Sequence, residues 1–358
     1  MNARGLSLVV VSALAAPVVA QQRGTDRSPA GARYTGKAFD FRKIADGVYF
    51  AVGTGNLSAE SNAVIVVNDE DVLIVDAETS PAAAWALLRE LKSVTPKPVR
   101  YVVLSHFHYD HAHGTQSLPP GVEIIGTEFT RRMMAEGRSM SHPTAAGNRS
   151  FSAAQITNLT KALDTASTPA GRKDIEKRRG VWQQYLASIA TLKPVPPNVT
   201  VSARMTLIRG NREIVILHPG PAHTAGDLVV WLPKERILAT GDMLQPNLPY
   251  MGDGFIQEWA NALDSLKALG PAVVLPGHGD PITDMAVVDR LRNYLRDFWT
   301  QAVALKQQGL EFAEAAKRLD LTKYDAYYPR FPGWTDEMVA RRRAGTVKRI
   351  YDLVDGAK

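Results

Sequence analysis

The 358-residue chain carries 42 Lys and Arg against 36 Asp and Glu, a formal net charge of +6, with 45% hydrophobic and 22% charged residues. These proportions belong to a folded globular chain, and Gly 27 with Pro 22 excludes collagen-like and wholly disordered ones. Cysteine is absent, which removes disulfide frameworks, thiolate metal sites and cysteine nucleophiles together; any metal must be held by His, Asp or Glu.

Residues 1–20 have the layout of a secretory signal peptide: Arg4 in a positive start, an apolar run over 6–16, and small residues at Val18-Val19-Ala20. The run is shorter than the about 20 apolar residues a membrane span needs. The expectation is cleavage after Ala20, a periplasmic or secreted location, and no stable membrane insertion. Residues 21–37, rich in Gly, Arg, Ser and Thr without periodicity, read as a flexible leader.

From residue 38 to 309 the pattern is that of one α/β domain. Segments 47–52, 62–67 and 72–76 are rich in β-branched and aromatic residues, the last two joined by the polar turn Asn68-Asp69-Glu70-Asp71. A helix is predicted over 81–92, where Pro81 occupies the first turn and Trp85, Leu87, Leu88 and Leu91 form a stripe. A buried strand follows at 99–104, another at 123–126, and a helix at 128–136. Residues 138–198 break this rhythm and read as a helical insertion, with helices at 154–163 and 174–192. Strands resume at 201–208, 214–217, 228–232 and 236–240, then a helix at 257–269, a strand at 272–275 and a long helix at 285–308. Both halves run from strands to a helix and on to a buried strand, which predicts two sheets packed face to face with helices outside, a four-layer αβ/βα sandwich. Residues 310–358 read as a C-terminal helical extension. The tightest basic cluster, Arg341-Arg342-Arg343, falls there and reads as the solvated face of a helix. The positive charge is otherwise dispersed and no nucleic-acid-binding signature is present, so no nucleic-acid partner is expected.

Chemistry concentrates in Ser105-His106-Phe107-His108-Tyr109-Asp110-His111, directly after the buried strand at 99–104. In extended backbone, side chains two residues apart point the same way, so His106 and His108 can converge on one ion. If the chain then turns into a helix, Asp110 and His111 face a second point nearby. Imidazole and carboxylate are ordinary zinc ligands, and paired ions about 3.5–4 Å apart form the usual dinuclear arrangement.

The spacing His-x-His-x-Asp-His resembles the metallo-β-lactamase superfamily of metal-dependent hydrolases. Three further motifs follow in the family's order: His223 in Gly220-Pro-Ala-His-Thr-Ala-Gly-Asp227, Asp242 in Ala239-Thr-Gly-Asp242, and His278 in Leu275-Pro-Gly-His-Gly279. The resemblance implies that His106, His108 and His223 hold one ion, that Asp110, His111 and His278 hold a second, and that Asp242 bridges them. Two Zn2+ ions are the implied cofactors, with Mn, Fe and Co also compatible with such ligands. The implied reaction is attack of hydroxide on a cyclic or activated acyl bond of a small molecule, with Asp110 orienting the hydroxide or carrying a proton. β-Lactam and lactone or ester substrates lead; a glyoxalase II-like thioesterase and a metal-dependent oxidoreductase of the same superfamily are the alternatives. The chain departs from zinc β-lactamases with a cysteine ligand, which have Cys at the place of Asp242 and a substrate-binding Lys at that of Gln245. Lys234 or an Arg of the insertion is a candidate replacement. His113, Tyr250 and Met251 are the expected substrate contacts, with the segment 246–255 and the insertion setting the size of the pocket. His142, in the insertion, is expected at the surface.

Overall fold

The structure, a computed structural model, describes residues 28–329 and 335–356. The expected signal peptide and the first part of the leader lie outside the described residues. The β-rich segments of the first half form a seven-stranded sheet, hydrogen-bonded in chain order: β1 (Phe39–Ala45), β2 (Val48–Gly53), β3 (Ala63–Val67), β4 (Val72–Val75), β5 (Val99–Val103), β6 (Glu123–Gly126) and β7 (Val199–Thr200). Pairing is antiparallel as far as β4 and parallel from there on. The second sheet comprises β8 (Arg204–Arg209), β9 (Arg212–Leu217), β10 (Val229–Leu232), β11 (Ile237–Gly241) and β12 (Val273–Pro276), in the order β12-β11-β10-β9-β8. Only its β11–β12 pair is parallel.

The helices are α1 (Pro81–Leu91), α2 (Tyr109–Ala112), α3 (Glu128–Ala135), α4 (Arg138–Ser141), α5 (Pro143–Asp164), α6 (Pro169–Ile189), α7 (Ile256–Ala268), α8 (Ala286–Gln307), α9 (Phe312–Arg318) and α10 (Asp336–Val354). Three apolar layers account for the stacking. Phe50, Val66, Leu73, Val103 and Ile125 of the first sheet meet Ile214, Ile216, Val230, Ile237 and Leu275 of the second. Ile65, Ile74 and Val102 turn outward onto Ala83, Leu87 and Leu91 of α1. Val229, Trp231 and Leu238 turn outward onto Trp259 and Leu263 of α7, Leu295 and Phe298 of α8, and Val347 and Ile350 of α10. The four-layer arrangement predicted from the element order is the observed one.

Several boundaries differ, each for a local reason. The chain crosses between sheets at 201–203, so the strand predicted at 201–208 starts only at Arg204 in the second sheet, while Val199–Thr200, just before it, pairs with β6. The strand β1 lies at a sheet edge, where Asp40, Arg42 and Lys43 point to solvent and leave little apolar pattern to read. The insertion helices are longer than predicted, because α5 buries only Ala145, Ser152, Leu159 and Leu163, and α6 only Tyr185 and Ser188. Their true starts carry Pro143 and Pro169 in the first turn, with His142 and Thr168 capping. The predicted turn at 68–71 is present: Asn68 N donates to Asp71 O and Asn68 Nδ2 to the Asp71 carboxylate.

Trp259 anchors the outer layer against the second sheet. It is fully buried, and its Nε1 donates to Met243 O at 2.9 Å. Trp259→Ala is expected to destabilise the metal-depleted protein by about 3–5 kcal/mol in urea unfolding. A loss below about 1 kcal/mol would mean that this layer contributes little to the fold.

Candidate metal centre

All seven predicted ligands lie in segments that follow strands: His106 and His108 on the loop after β5, Asp110 and His111 in the short helix α2 that continues it, His223 after β9, Asp242 after β11 and His278 after β12. Asp76, at the end of β4 with φ 68°, ties the first of these loops in place. Its carboxylate accepts from Ser105 N at 2.7 Å, Ser105 Oγ at 2.9 Å and His111 Nδ1 at 2.8 Å. The single Ser105 hydroxyl proton is thereby committed to Asp76. Ser105 Oγ can only accept from His106 Nδ1, 3.0 Å away. In their neutral form both rings are thereby held in the tautomer that leaves Nε2 as a bare lone pair. Nε2 of His106 and Nε2 of His111 are buried and make no well-aligned hydrogen bond.

The lone pairs converge in two groups. His106, His108 and His223 form one, and Asp110, His111 and His278 the other, with the ligand atoms of each group within 4.8 Å of one another. His108 Nδ1 and His223 Nε2 stand 3.1 Å apart. Asp110 Oδ2 is 3.0 Å from His278 Nε2 and 3.4 Å from His111 Nε2. Asp242 stands between the groups, its Oδ1 3.3 Å from His111 Nε2 and 3.4 Å from His278 Nε2, its Oδ2 3.6 Å from His223 Nε2. Tetrahedral zinc with bonds of 2.0–2.1 Å requires neighbouring ligand atoms about 3.3 Å apart. The buried, partner-poor donor set and its spacing therefore fit two cations sharing Asp242.

Close backbone approach makes this convergence possible. A Cβ at Gly241, where φ is +50°, would stand 2.4 Å from Ser105 Oγ, and one at Gly277 2.5 Å from Asp242 Oδ1. Neither position has room for a side chain next to the ligands. The loop carrying His223 is pinned by Asp227, which accepts from Thr224 N at 2.7 Å and Thr224 Oγ1 at 3.0 Å; burial pushes the Asp227 carboxyl up to about 8.

The charge states suit cation binding. Burial holds the His106 imidazole well below its ordinary value and His223 down at about 3, so both are neutral ligands. Against the cost of burial, His111 and His278 keep Asp110 and Asp242 ionised, well below the usual carboxylate range. The reciprocal effect raises the two rings: burial opposes it, but Asp110, Asp242 and Asp76 hold His111 well up, and Asp242 with Asp110 holds His278 at about 10.

A further set of residues, not singled out in the sequence, supports the ligand loop. Asp253 accepts from His108 Nε2 at 2.9 Å and from His142 Nε2 at 3.2 Å, which directs His108 Nδ1 at the cluster. His142 is not at the surface as predicted. Its ring packs 5.2 Å from Phe107 and 5.3 Å from His108, because the insertion folds back over the loop. On the other side, the Glu60 carboxylate accepts from Tyr109 Oη at 2.8 Å and from Asn148 Nδ2 of α5 at 3.0 Å. The insertion thus grips the ligand loop at two points.

A cavity of about 380 Å³ opens over the cluster, lined by His108, Asp110, Asp242 and His278, by Thr144, Asn148 and Phe151 of α5, by Gln245, Asn247, Leu248 and Tyr250, and by Arg342 of α10. Tyr250 is placed as predicted. Met251 does not line this cavity: it is 2% exposed and packs with Trp259 in the outer apolar layer, where it borders a neighbouring cavity beside α8 and α10. His113 is also displaced from its predicted role; it sits buried behind the ligand loop, where burial pushes its pKa down to about 4, and does not line the cavity. Lys234 lies in the turn at the opposite end of β11 from Asp242, out of reach of the cluster. The cation that does enter the cavity is Arg342, which the sequence placed on a solvated helix face. Its Nη2 donates to Leu248 O at 3.3 Å and its guanidinium carbon lies 5.7 Å from the centre of the Tyr250 ring.

The profile of the Metallo-beta-lactamase superfamily matches residues 59–121 and 150–278. The chain is 24% identical over 292 residues to a linear primary-alkylsulfatase of Pseudomonas sp. (strain ATCC 19151), an alignment covering 78% of this chain and 52% of that protein. The chain therefore spans about half that relative's length. It is 35% identical over 226 residues to a metallo-beta-lactamase type 2 of Bacillus cereus, covering 62% of this chain and 67% of the relative. Among solved structures, a stereoselective inverting sec-alkylsulfatase from Pseudomonas sp. superposes with a TM-score of 0.59 at 17% identity, over 88% of this chain and 50% of that one; at this identity the likeness is one of fold.

Loading the cluster must displace the protons that Asp110 and Asp242 hold on His111 and His278. Cation binding at pH 7 is therefore expected to release about two protons per chain, and affinity to rise with pH between 6 and 8. Calorimetric titration of metal-free protein in buffers of different ionisation enthalpy reads the number directly; a value near zero would contradict the charge states above. Separately, Asp253→Asn is expected to weaken one of the two ions about 10–100-fold while sparing the other, and His142→Ala to do so less. Competition with a chromophoric chelator checks both, and equal weakening of the two ions would place Asp253 outside the support of His108.

Proposed function

Because the chain belongs to the metallo-β-lactamase superfamily and is a metal-dependent hydrolase of it, we propose that it cleaves a cyclic or activated acyl bond, a β-lactam or a lactone or ester, with two zinc ions as cofactors. The observation that carries this reading is the position of Asp242, one oxygen toward each His group, beneath an open cavity. His106, His108 and His223 would hold one ion, Asp110, His111 and His278 the other, and Asp242 both. When bound, the ions would supply Lewis acidity, making water acidic enough to act as hydroxide near neutral pH and drawing charge from the oxygen of the scissile bond.

The chain's own residues do the rest. Asp110 reaches the cavity wall with its carboxylate ionised, so it would orient the attacking water, take a proton from it and pass that proton to the leaving group. The amides of Gln245 and Asn247 and the hydroxyl of Tyr250 offer hydrogen bonds to polar substituents, and Phe151 and Leu248 offer apolar contact. No serine or cysteine nucleophile is required. The N-terminal leader points to export, which would bring the enzyme to small acyl compounds outside the cytoplasm and away from nucleic acid.

A panel assay of metal-quantified protein against a β-lactam, a lactone, a thioester and a primary alkyl sulfate is the direct test. Two ions per chain with turnover of the β-lactam or the lactone are expected. Turnover of the thioester or sulfate alone, or iron with oxygen uptake, would replace the acyl reading. Asp110→Asn is expected to lower kcat at least 100-fold in protein reloaded with two ions; full turnover with both metals in place would remove Asp110 from proton transfer.

A further inference from the structure

Three consecutive residues in the connection from β2 to β3 reach the metal cluster without being ligands. The Glu60 carboxylate, which accepts from Tyr109 Oη, also accepts from Ser58 Oγ at 3.1 Å. Ser61 Oγ donates to the main-chain oxygen of Asp110 at 2.6 Å. Asn62 crosses to the loop after β12. Its backbone N donates to Gly277 O at 2.8 Å, and its Nδ2 donates to Pro276 O at 3.2 Å and to Gly279 O at 2.9 Å. Ser61 is 3% exposed and Asn62 7%, so these bonds are shielded from competing water. The two carbonyl acceptors fix which way the Asn62 amide faces, because a flipped amide would set its oxygen against both of them. The carbonyls that Asn62 holds lie on either side of His278.

Resting on the ligand grouping above, we propose that Asn62 is a positioning residue for one cation alone, that of Asp110, His111 and His278, and that it acts by fixing the backbone of the loop that presents His278. Three observations carry this. His278 stands between Gly277 and Gly279, which impose little conformation of their own, so the course of its loop is set by bonds from outside. Gly277 N donates to Gly241 O at 2.8 Å, so the loop is clamped between the end of β11 and Asn62. The His278 ring, in turn, depends on that backbone. His106, His108 and His111 are each held through the nitrogen turned away from the cluster, by Ser105, Asp253 and Asp76. Among the described residues no hydrogen bond reaches Nδ1 of His278, whose side chain is the most exposed of the seven at 32%. Finally, the bonds made by Ser61 and Asn62 end on Asp110 and on the His278 loop, and none ends on His106, His108 or His223. Loosening them therefore falls on one side of Asp242, the side opposite to the one that Asp253 supports.

Cadmium reads the two ions separately and without turnover. In full-length protein loaded with two cadmium ions per chain, the ligand grouping gives one cadmium resonance coupled to the ring protons of three histidines and another coupled to those of two. In competition with a chromophoric chelator, Asn62→Ala is expected to raise the dissociation constant of the two-histidine ion about 10–100-fold and to leave the other within about twofold. Asn62→Leu keeps the volume of the side chain and lacks its donors, and is expected to weaken the same ion as much. Ser61→Ala is expected to weaken that ion less; it deletes a single hydroxyl and so carries the test where the larger changes do not fold. Asp253→Asn is expected to act on the three-histidine ion instead, so that Asn62→Ala and Asp253→Asn combined weaken each ion by what the single changes do. Equal weakening of both ions by Asn62→Ala, no weakening of either, or full affinity in Asn62→Leu overturns the inference. Unaltered protein that takes up fewer than two ions overturns the ligand grouping and this inference with it. The expected selectivity in a protein that hydrolyses no acyl compound would overturn the proposed reaction and leave the role of Asn62 standing.

Discussion

The Asp76 carboxylate is the constraint on which the centre rests. It accepts from Ser105 N, Ser105 Oγ and His111 Nδ1, and so joins the end of β4 to the end of β5. One group thereby decides which nitrogen of His111 is bare and, through the hydroxyl of Ser105, which nitrogen of His106 is bare. With either ring in the other tautomer, a proton would point at the place a cation must occupy. Burial makes the choice firm, because leaving one of these donors without its acceptor costs about 1–3 kcal/mol in the interior. Gly241 extends the same logic to the second sheet, letting the backbone before Asp242 come against Ser105 where a larger residue would hold the motifs apart.

The seven candidate ligands could be picked out because four of them fall within six residues after a buried strand, and the others stand in short Gly-rich motifs at strand ends. Their partners could not. Asp76 reads as the polar border of a strand, and nothing in the order of residues links it to Ser105 or His111, some thirty positions on. Asp253 and His142 are over a hundred residues apart and meet only because the insertion folds back on the ligand loop. Arg342 sits between two other arginines on an amphipathic helix; which of the three turns inward depends on how α10 packs on α8, a tertiary fact that periodicity does not contain. Met251 shows the converse. Its place next to Tyr250 suggested a shared role, yet neighbouring side chains in a loop diverge, and of the two it is Tyr250 that lines the cavity over the cluster.

The architecture was readable where burial leaves a strong pattern and faint where it does not. The central strands β4, β10 and β11 are buried along their whole length, and β3 up to its last residue, and they appear as continuous apolar runs. The edge strand β1 and the insertion helices expose most of their residues, so their sequences carry little periodicity, and only Pro at the helix starts marked them. The fold concentrates its polar loops at one rim, since the parallel strands β4, β5, β11 and β12 all end there.

The partition of labour around the centre has an evolutionary corollary. His142, Thr144, Asn148 and Arg342 all lie outside the stretches that align with the superfamily, whereas the seven ligands lie within them. The candidate ligands and one side of the cavity, Phe151, Gln245, Asn247, Leu248 and Tyr250, thus belong to the shared frame, while the rest of the wall comes from segments outside it. Replacing Arg342 of α10 would therefore reshape the mouth of the cavity without touching the ligand loop, whereas a change at Asn148 of α5 would also loosen the grip on that loop.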